Sequence, residues 1–431
     1  MGNTIGIRHE DKYELERRAP LIPNHIKQLI DLEGIKFFVE KSDKRVFDDD
    51  EYKSAGAQIV DNIDQCEVVF GVKEMPDTLF RKGVAYIFFS HVIKGQDYNM
   101  SMLKNIIKKG STLIDYERIC DSNGKRLIFF GRFAGLAGMI NSLWAFGRRH
   151  SELGKDTPLA NLKQSYSYAS LETAKNDILQ YGDEFSSNRK KYFNKPVVIA
   201  ITGDGNVSKG ALEIAELLPG RELTVNQFLN KDYSMNDSFL KLNILPEDYL
   251  THLDGRPFDL FHYFEYPDQY QSTIEEILPH IDLFVNGIYW DERYPRLITK
   301  KWLKKNFKIG LGPSVIGDIS CDVNGSIECT EKATEIEDPV FVYDPGSDST
   351  KMGFHGKGVA VMAVDILPSE LPRESSFHFS GALKPFVKQI SECNFDDTFE
   401  DLQLSDEVKN AVIVHNGRLT DAYQYLEKFI P

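Results

Sequence analysis

Residues 196–220 read PVVIAITGDGNVSKGALEIAELLPG. This is an apolar run, then a turn on Gly203 and Gly205, then a helical pattern, which predicts a strand, a tight turn and a helix in succession. A dinucleotide fold needs one glycine at the strand end for the turn. It needs a second so that the backbone can approach the pyrophosphate resting on the helix N-terminus. Gly203 and Gly205 meet both needs, and Asn206, Val207 and Ser208 would begin the helix under the phosphates. The third standard position is Ser208, with Gly210 two residues later, so the match is the variant GxGxxS. The motif alone arises by chance; the strand before it and the helix after it supply the context that it requires.

The carboxylate that usually reads the ribose hydroxyls lies about 20 residues further on. There the chain reads GRELTVNQF. Glu222 is placed at the start of a strand and Thr224, Val225 and Asn226 at its end, which leaves no acid at the reading position. With Arg221 available for a 2′-phosphate, NADP(H) is the expected cofactor and NAD(H) stays open.

Short apolar runs alternate with helical patterns elsewhere, which reads as α/β. TIGIR (4–8), KFFVE (36–40), CEVVFGV (66–72), VAYIFFS (84–90) and STLIDYE (111–117) are strand candidates. NHIKQLIDLEG (24–34) and NMSMLKNIIKKG (99–110) are helices stopped by glycine. GRFAGLAGMINSLWAFGRRH (131–150) is a helix rich in small residues, suited to close backbone approach. The stretch 151–195 is polar, and 226–272, rich in Tyr, Phe, Asp and Pro, reads as a loop-rich insertion. Strands resume at 281–290 and 313–320, and the tail from Leu367 reads as mostly helical, packing back on the first domain.

A length of 431 residues suits two or three domains. The expectation is two Rossmann-like α/β domains with parallel sheets and a substrate cleft between them. Residues 1–135 with about 365–431 would form the substrate and catalytic domain. Residues 136–364 would form the dinucleotide domain. The net charge of −14 and the lack of a Lys/Arg-dense stretch exclude an ordinary nucleic-acid binder. Five scattered cysteines form no CxxC pair, and ten histidines show no HExxH spacing, so no metal is expected. The N-terminus has no apolar signal core, Gly6 breaks the myristoylation pattern, and no apolar run could span a bilayer. A cytoplasmic location without a membrane partner is expected.

Several motifs in order carry a resemblance: RHEDKYELERRAPLIP (8–23), VKEMP (72–76), FFSHVIK (88–94), TGDGNVSKGA, NGIYW (286–290), GDISCDVNGSIE (317–328) and DILPSELPRESSFHF (365–379). The chain resembles the lysine–ketoglutarate reductase domain, or lysine-forming saccharopine dehydrogenase, of the alanine dehydrogenase/transhydrogenase superfamily. The resemblance implies NADPH-dependent condensation of lysine with 2-oxoglutarate to saccharopine, or the reverse. In many such proteins a second dehydrogenase is fused. With this chain ending at Pro431, a separate glutamate-forming saccharopine dehydrogenase is the expected pathway partner.

The chemistry needs groups that take a proton from an amine and give one to a departing hydroxyl. Lys73 and His91 each follow a strand, at the end where open α/β sheets bind ligands, and they match the acid–base pair of the lysine-forming enzymes. Arg18 matches a substrate arginine whose fork grips a carboxylate; Glu16 and Lys94 match a site carboxylate and a site lysine. Lys12 and Arg17 read as surface residues. Asp318 and Asp322 flank a strand-end loop, with Asp322 favoured for the nicotinamide side, against a plain turn before Asn324-Gly325. Tyr289, with Trp290, would wall the nicotinamide pocket or pack in a core. Arg132 and Phe133 lie where the resemblance brings the hinge segment to the cofactor. Two other readings stay open: an alanine-dehydrogenase-like enzyme using ammonia, and a non-catalytic nucleotide-binding relative.

Overall fold

The computed structural model describes residues 2–431. The chain divides into two compact units, residues 1–130 with 372–431, and residues 131–371.

In the first unit, strands β1 (Ile5–Ile7), β2 (Phe37–Glu40), β3 (Gln58–Val60), β4 (Val68–Phe70), β5 (Ala85–Phe88) and β6 (Thr112–Asp115) run parallel in the order β6-β5-β4-β1-β2-β3. Every residue of β1, β4, β5 and β6 is buried, as expected of strands covered on both faces. Helix α1 (Pro23–Glu33) begins on a proline and stops at Gly34, whose φ is 68°. Helix α2 (Asp49–Ser54) starts with an Asp48–Glu51 capping box. Helix α3 (Asp97–Lys109) closes at Gly110, φ 70°, with two lysines in its last turn.

The second unit opens with α4 (Gly131–Glu152) and α5 (Leu171–Tyr192). The second of these is a 22-residue helix inside the stretch read as merely polar. Its buried residues, Ala174, Ile178, Gly182, Phe185 and Arg189, do keep helical spacing, but two of them are too small and one is too polar to stand out among the charges. β7 (Val197–Thr202) then leads into α6 (Asn206–Ala215). Helices α4 and α6 touch backbone to backbone: a Cβ on Gly210 would lie 2.1 Å from the Arg132 carbonyl oxygen, and one on Gly135 1.9 Å from that of Val207.

Next come β8 (Gly220–Leu223), α7 (Val225–Leu229) and β9 (Phe239–Ile244). Two expectations change here. Glu222 lies inside β8, not at its start, and Thr224 is the N-cap of α7, accepting from the Gln227 N–H. The segment 226–272 is not a loop insertion. It contains β9, which pairs with β7 over six residues. Lys241 and Asn243 interrupt its apolar pattern. Lys241 is accommodated because its ammonium reaches the Leu218 carbonyl oxygen at 3.1 Å.

The rest of 226–272 folds into α8 (Pro246–Tyr249), the hairpin of β10 (Leu250–His252) and β11 (Tyr270–Ser272), and α9 (Leu260–Glu265) between them. β12 (Leu283–Asn286), β13 (Val315–Asp318), β14 (Val340–Asp344), β15 (Ser349–Met352) and β16 (Val359–Met362) complete a sheet ordered β15-β14-β16-β13-β12-β7-β9-β8. β14 runs antiparallel to both its neighbours, so the sheet is mixed and not wholly parallel.

The chain then returns to the first unit through α10's successor, the long helix Pro372–Glu392; α10 itself is Lys300–Asn306. The tail is not helical throughout. β17 (Val412–His415) adds antiparallel to β6, and β18 (Arg418–Leu419) folds back on it through Asn416-Gly417, both at positive φ. That Asn-Gly pair after an apolar run was the available hairpin signal.

The unit boundaries fall at 130/131 and 371/372 rather than at 135/136 and 364/365. Glu370 explains the second: it is buried in the second unit, accepting from Asn141 Nδ2 at 2.8 Å, Ser165 Oγ at 2.5 Å and the Tyr166 N–H at 3.2 Å. Among the described residues no helix is long and apolar enough to cross a membrane.

Candidate active site

In the first unit, β1, β4, β5 and β6 are parallel neighbours, so the segments leaving their C-terminal ends share one edge of the sheet. Glu10, Lys73, His91 and Asp115 all arrive there. Glu10 is buried and accepts the N–H of Val72 at 2.7 Å and of Lys73 at 2.9 Å, which fixes the loop carrying Lys73. Burial and the nearby Glu16 charge push its carboxyl up to about 7. The ammoniums of Lys12 and Lys73 lie 5.4 and 5.7 Å from the centre of the Tyr13 ring, within cation–π range.

His91 Nδ1 lies 2.7 Å from Glu74 Oε1. The other Glu74 oxygen takes the Lys12 ammonium at 2.7 Å. Burial disfavours the Glu74 charge, but His91 and Lys12 overcome it and hold the carboxyl far below the ordinary range. Asn99 Nδ2 donates to the Ser90 carbonyl oxygen at 3.0 Å, and Asp115 accepts from both the Ser90 N–H and hydroxyl. Burial pushes the Asp115 carboxyl up to about 6. These contacts fix the residue before His91. His91 itself sits at φ 51°, a conformation that costs a non-glycine residue on the order of 1–3 kcal/mol and collects at functional sites.

Arg18 is not an open clamp. Its guanidinium is buried, bound in a fork by Glu16 (Nε–Oε1 2.7 Å, Nη2–Oε2 2.5 Å), and lies 4.2 Å from the centre of the Phe130 ring. Burial opposes the Glu16 charge, and Arg18 and then Lys73 outweigh it, so its carboxyl is lowered. Lys73 is therefore close enough to feel the Glu16–Arg18 pair. Lys94 is exposed, on the turn that follows His91. Lys12 is exposed, as expected, though its ammonium reaches the cluster through Glu74; Arg17 is exposed too and bonds to the Lys44 carbonyl oxygen. Glu74, Asp115, Glu10 and Asn99 escaped the sequence reading. Glu74 adjoins Lys73 in VKEMP, which was the one local hint.

In the second unit the glycine turn has the form a dinucleotide requires. Gly203 has φ 92°. Gly205 is the N-cap of α6 with no side-chain cap, and a Cβ there would meet nothing within 4 Å. The space beside Gly205 at the start of α6 is therefore open, as close backbone approach to a pyrophosphate requires. Asn206 is exposed and Val207 half-buried at the start of the helix. Ser208 does not face a ligand: it is buried, and its hydroxyl donates to the Thr202 carbonyl oxygen at 2.7 Å.

A cavity of about 600 Å³ opens beside this turn, walled by the segments after β7, β9 and β12. Tyr289 lies on its wall, 72% exposed, and Trp290 lines it too. Asp318 is fully buried at the end of β13 and accepts from Asn286, Ser320 and Thr330. Its oxygens hold strand-end loops together and do not contact solvent. Asp322 is exposed and its carbonyl closes the turn to Gly325, as the plain turn reading has it. Arg132 pairs with Glu213 on α6, which also holds Lys175. Its guanidinium serves helix packing, near the Phe133 ring. Among the described residues no group of three His, Cys, Asp or Glu is arranged to hold a metal ion.

Family models describe residues 6–137 as the alanine dehydrogenase/PNT N-terminal domain and 195–422 as its C-terminal domain. The chain is 36% identical over 99% of its length to alpha-aminoadipic semialdehyde synthase of Arabidopsis thaliana, covering 42% of that protein. It is 33% identical over 98% to the mitochondrial protein of that name from Bos taurus, covering 47%. The chain thus spans less than half the length of these relatives. With saccharopine dehydrogenase [NAD(+), L-lysine-forming] of Emericella nidulans it shares 29% identity, covering 90% of this chain and 92% of that one. An L-alanine dehydrogenase structure matches with TM-score 0.62 at 18% identity over 99% of this chain and 100% of that one. The Sinorhizobium meliloti transhydrogenase matches with TM-score 0.55 at 15% identity over 97% and 100%. At such identities these structures speak to the fold alone.

Proposed function

The chain belongs to the alanine dehydrogenase/PNT family, and from that premise we propose that it is an oxidoreductase joining the side-chain amine of lysine to 2-oxoglutarate to give saccharopine, or running the reverse. The relatives named for saccharopine and aminoadipic semialdehyde support this substrate pair. The observation that carries the reading is the Glu74–His91 contact beside Lys73 and the Glu16–Arg18 pair at one sheet edge.

The amine attacks the ketone carbon and loses a proton, the carbinolamine hydroxyl takes a proton and leaves as water, and the imine carbon then accepts a hydride. A nicotinamide dinucleotide, held by Gly203, Gly205 and the start of α6, supplies that hydride when bound. His91 exchanges the proton through Nε2, because Glu74 holds Nδ1 and orients the ring. Lys73 is the second proton-handling group, on a loop that Glu10 locks. Lys73 brings a local positive charge for the carboxylates of the oxo diacid in an acidic protein, Lys12 being paired with Glu74. Glu16 and Arg18 neutralise each other in their buried fork and act as supports beneath the loop that bears Lys73. An enzyme that oxidises saccharopine onward, glutamate-forming, is its proposed neighbour in the reaction sequence.

The test is to supply 2-oxoglutarate and a reduced dinucleotide, then lysine or ammonia, and follow cofactor oxidation. Lysine-dependent oxidation with saccharopine as product is expected. Oxidation with ammonia alone would instead mark an alanine-dehydrogenase-like activity. No turnover despite dinucleotide binding would mark a non-catalytic relative.

A further inference from the structure

β7 lies between β12 and β9, and on the β9 side β8 stands outside at the sheet edge. In a dinucleotide fold the residue that reads the adenosine ribose lies at the C-terminal end of the strand adjoining the glycine-turn strand. By sequence distance that strand would be β8; by topology it is β9. The junction is tight. Gly203 N–H donates to the Ile244 carbonyl oxygen at 2.9 Å, and the Asn243 amide nitrogen donates to the Gly203 carbonyl oxygen at 2.9 Å. The chain leaving β9, Leu245-Pro246-Glu247, therefore forms the wall of the cavity beside the turn.

Two charged side chains line that cavity, Asp204 and Glu247, and both are carboxylates; its lining contains no Lys, Arg or His. The neighbouring Asp248 is committed to the Leu245 N–H at 2.8 Å, while Glu247 is exposed. The arginines on flanking loops are engaged: Arg256 with Asp254, Arg293 with Asp291, and Arg296 with the carbonyl oxygens of Asn324 and Gly325. Arg221, the cation that favoured a phosphorylated cofactor, is on β8, with β9 between it and β7.

We propose that Glu247 is the ribose-reading carboxylate of this chain, accepting the adenosine ribose hydroxyls, and that it makes the protein select NAD(H) over NADP(H). The proposal rests on the dinucleotide-binding reading above and deepens it. A carboxylate accepts two hydroxyl hydrogens of an unmodified ribose. A 2′-phosphate there removes one donor and sets a dianion against two carboxylates without a compensating cation.

The test is direct binding of NADH and of NADPH to the full chain, read by titration calorimetry or nucleotide fluorescence without any amino acid or oxo acid. Wild-type protein should bind NADH at least about tenfold more tightly, the loss expected when charged hydrogen bonds are missing. Glu247→Gln should weaken NADH several-fold and shrink the preference, and Glu247→Arg should reverse it. Because the side chain is exposed, both variants should keep the wild-type melting temperature. An unchanged NADH-to-NADPH ratio in both variants, or a wild-type preference for NADPH, overturns the assignment. Lysine-dependent turnover is scored separately: its absence alongside a Glu247-dependent NADH preference sinks the substrate proposal and leaves this one standing.

Discussion

Glu74→Gln probes the part of the site that holds its geometry. The carboxylate joins His91 Nδ1 and the Lys12 ammonium, each at 2.7 Å, in a nearly buried position. Charged hydrogen bonds in such places contribute about 1.5–3 kcal/mol. The amide keeps an acceptor for only one of the two partners, so the loss should approach that range. For a unit of this size it lowers the melting temperature by roughly 3–10 °C. The pH dependence separates this from generic damage. The folded carboxyl lies well below its ordinary 4.5, so its contribution is fully present above that pH and fades as pH falls below it. The gap between wild type and variant, measured by calorimetry, should be full near about pH 6 and shrink progressively as pH falls below about 4.5. Turnover should also fall by about tenfold or more, in kcat more than in KM, because His91 loses its orienting partner. A melting temperature equal to wild type, or a gap of constant size down to about pH 3, would refute the reasoning.

Lys73→Met and His91→Gln should each lower turnover about a hundredfold or more while dinucleotide affinity, measured by titration, stays near normal; wild-type rates in both would end the acid–base assignment. Gly210→Ala should destabilise the second unit by about 1–3 kcal/mol, because its methyl meets the Arg132 carbonyl oxygen; an unchanged thermal transition would contradict the close helix contact. Ser208→Ala should cost about 1 kcal/mol of stability with little change in dinucleotide affinity, which binding and melting curves can separate. Glu370 is held at about 7 by burial, so its stabilising share is present below 4.5 and is lost as pH rises through about 7. Unfolding near pH 6 should therefore release a proton from it, and Glu370→Gln should cut the calorimetric proton release by roughly 0.9.

Local signals in the sequence located β1, β2, β4, β5, β6, α1 and α3 of the first unit, and α4, β7, α6, β12 and β13 of the second. Ile5–Ile7, Val68–Phe70, Ala85–Phe88 and Thr112–Asp115 are apolar runs long enough to need burial on two faces, and Gly34 and Gly110 stop the helices where expected. Elements whose buried residues are small or polar were misread. Helix Leu171–Tyr192 hides its buried stripe among charges, and the central strand Phe239–Ile244 carries a lysine and an asparagine. The strand-end positions of Lys73 and His91 were legible because apolar runs mark where strands stop. Glu74, Asn99 and Asp115 were not, since their roles exist only through contacts with other strand ends.

The chain by itself determined its class, its glycine turn and the loops that bear Lys73 and His91, because each depends on periodicity and on neighbours a few residues away. Strand order was decided only in three dimensions. Which strand lies against β7 depends on competition among distant segments for one sheet edge, and no count of residues from Gly203 registers that outcome. The same competition took Arg18 into the Glu16 fork, turned Ser208 into a brace for Thr202, and brought Glu247 to the cavity wall.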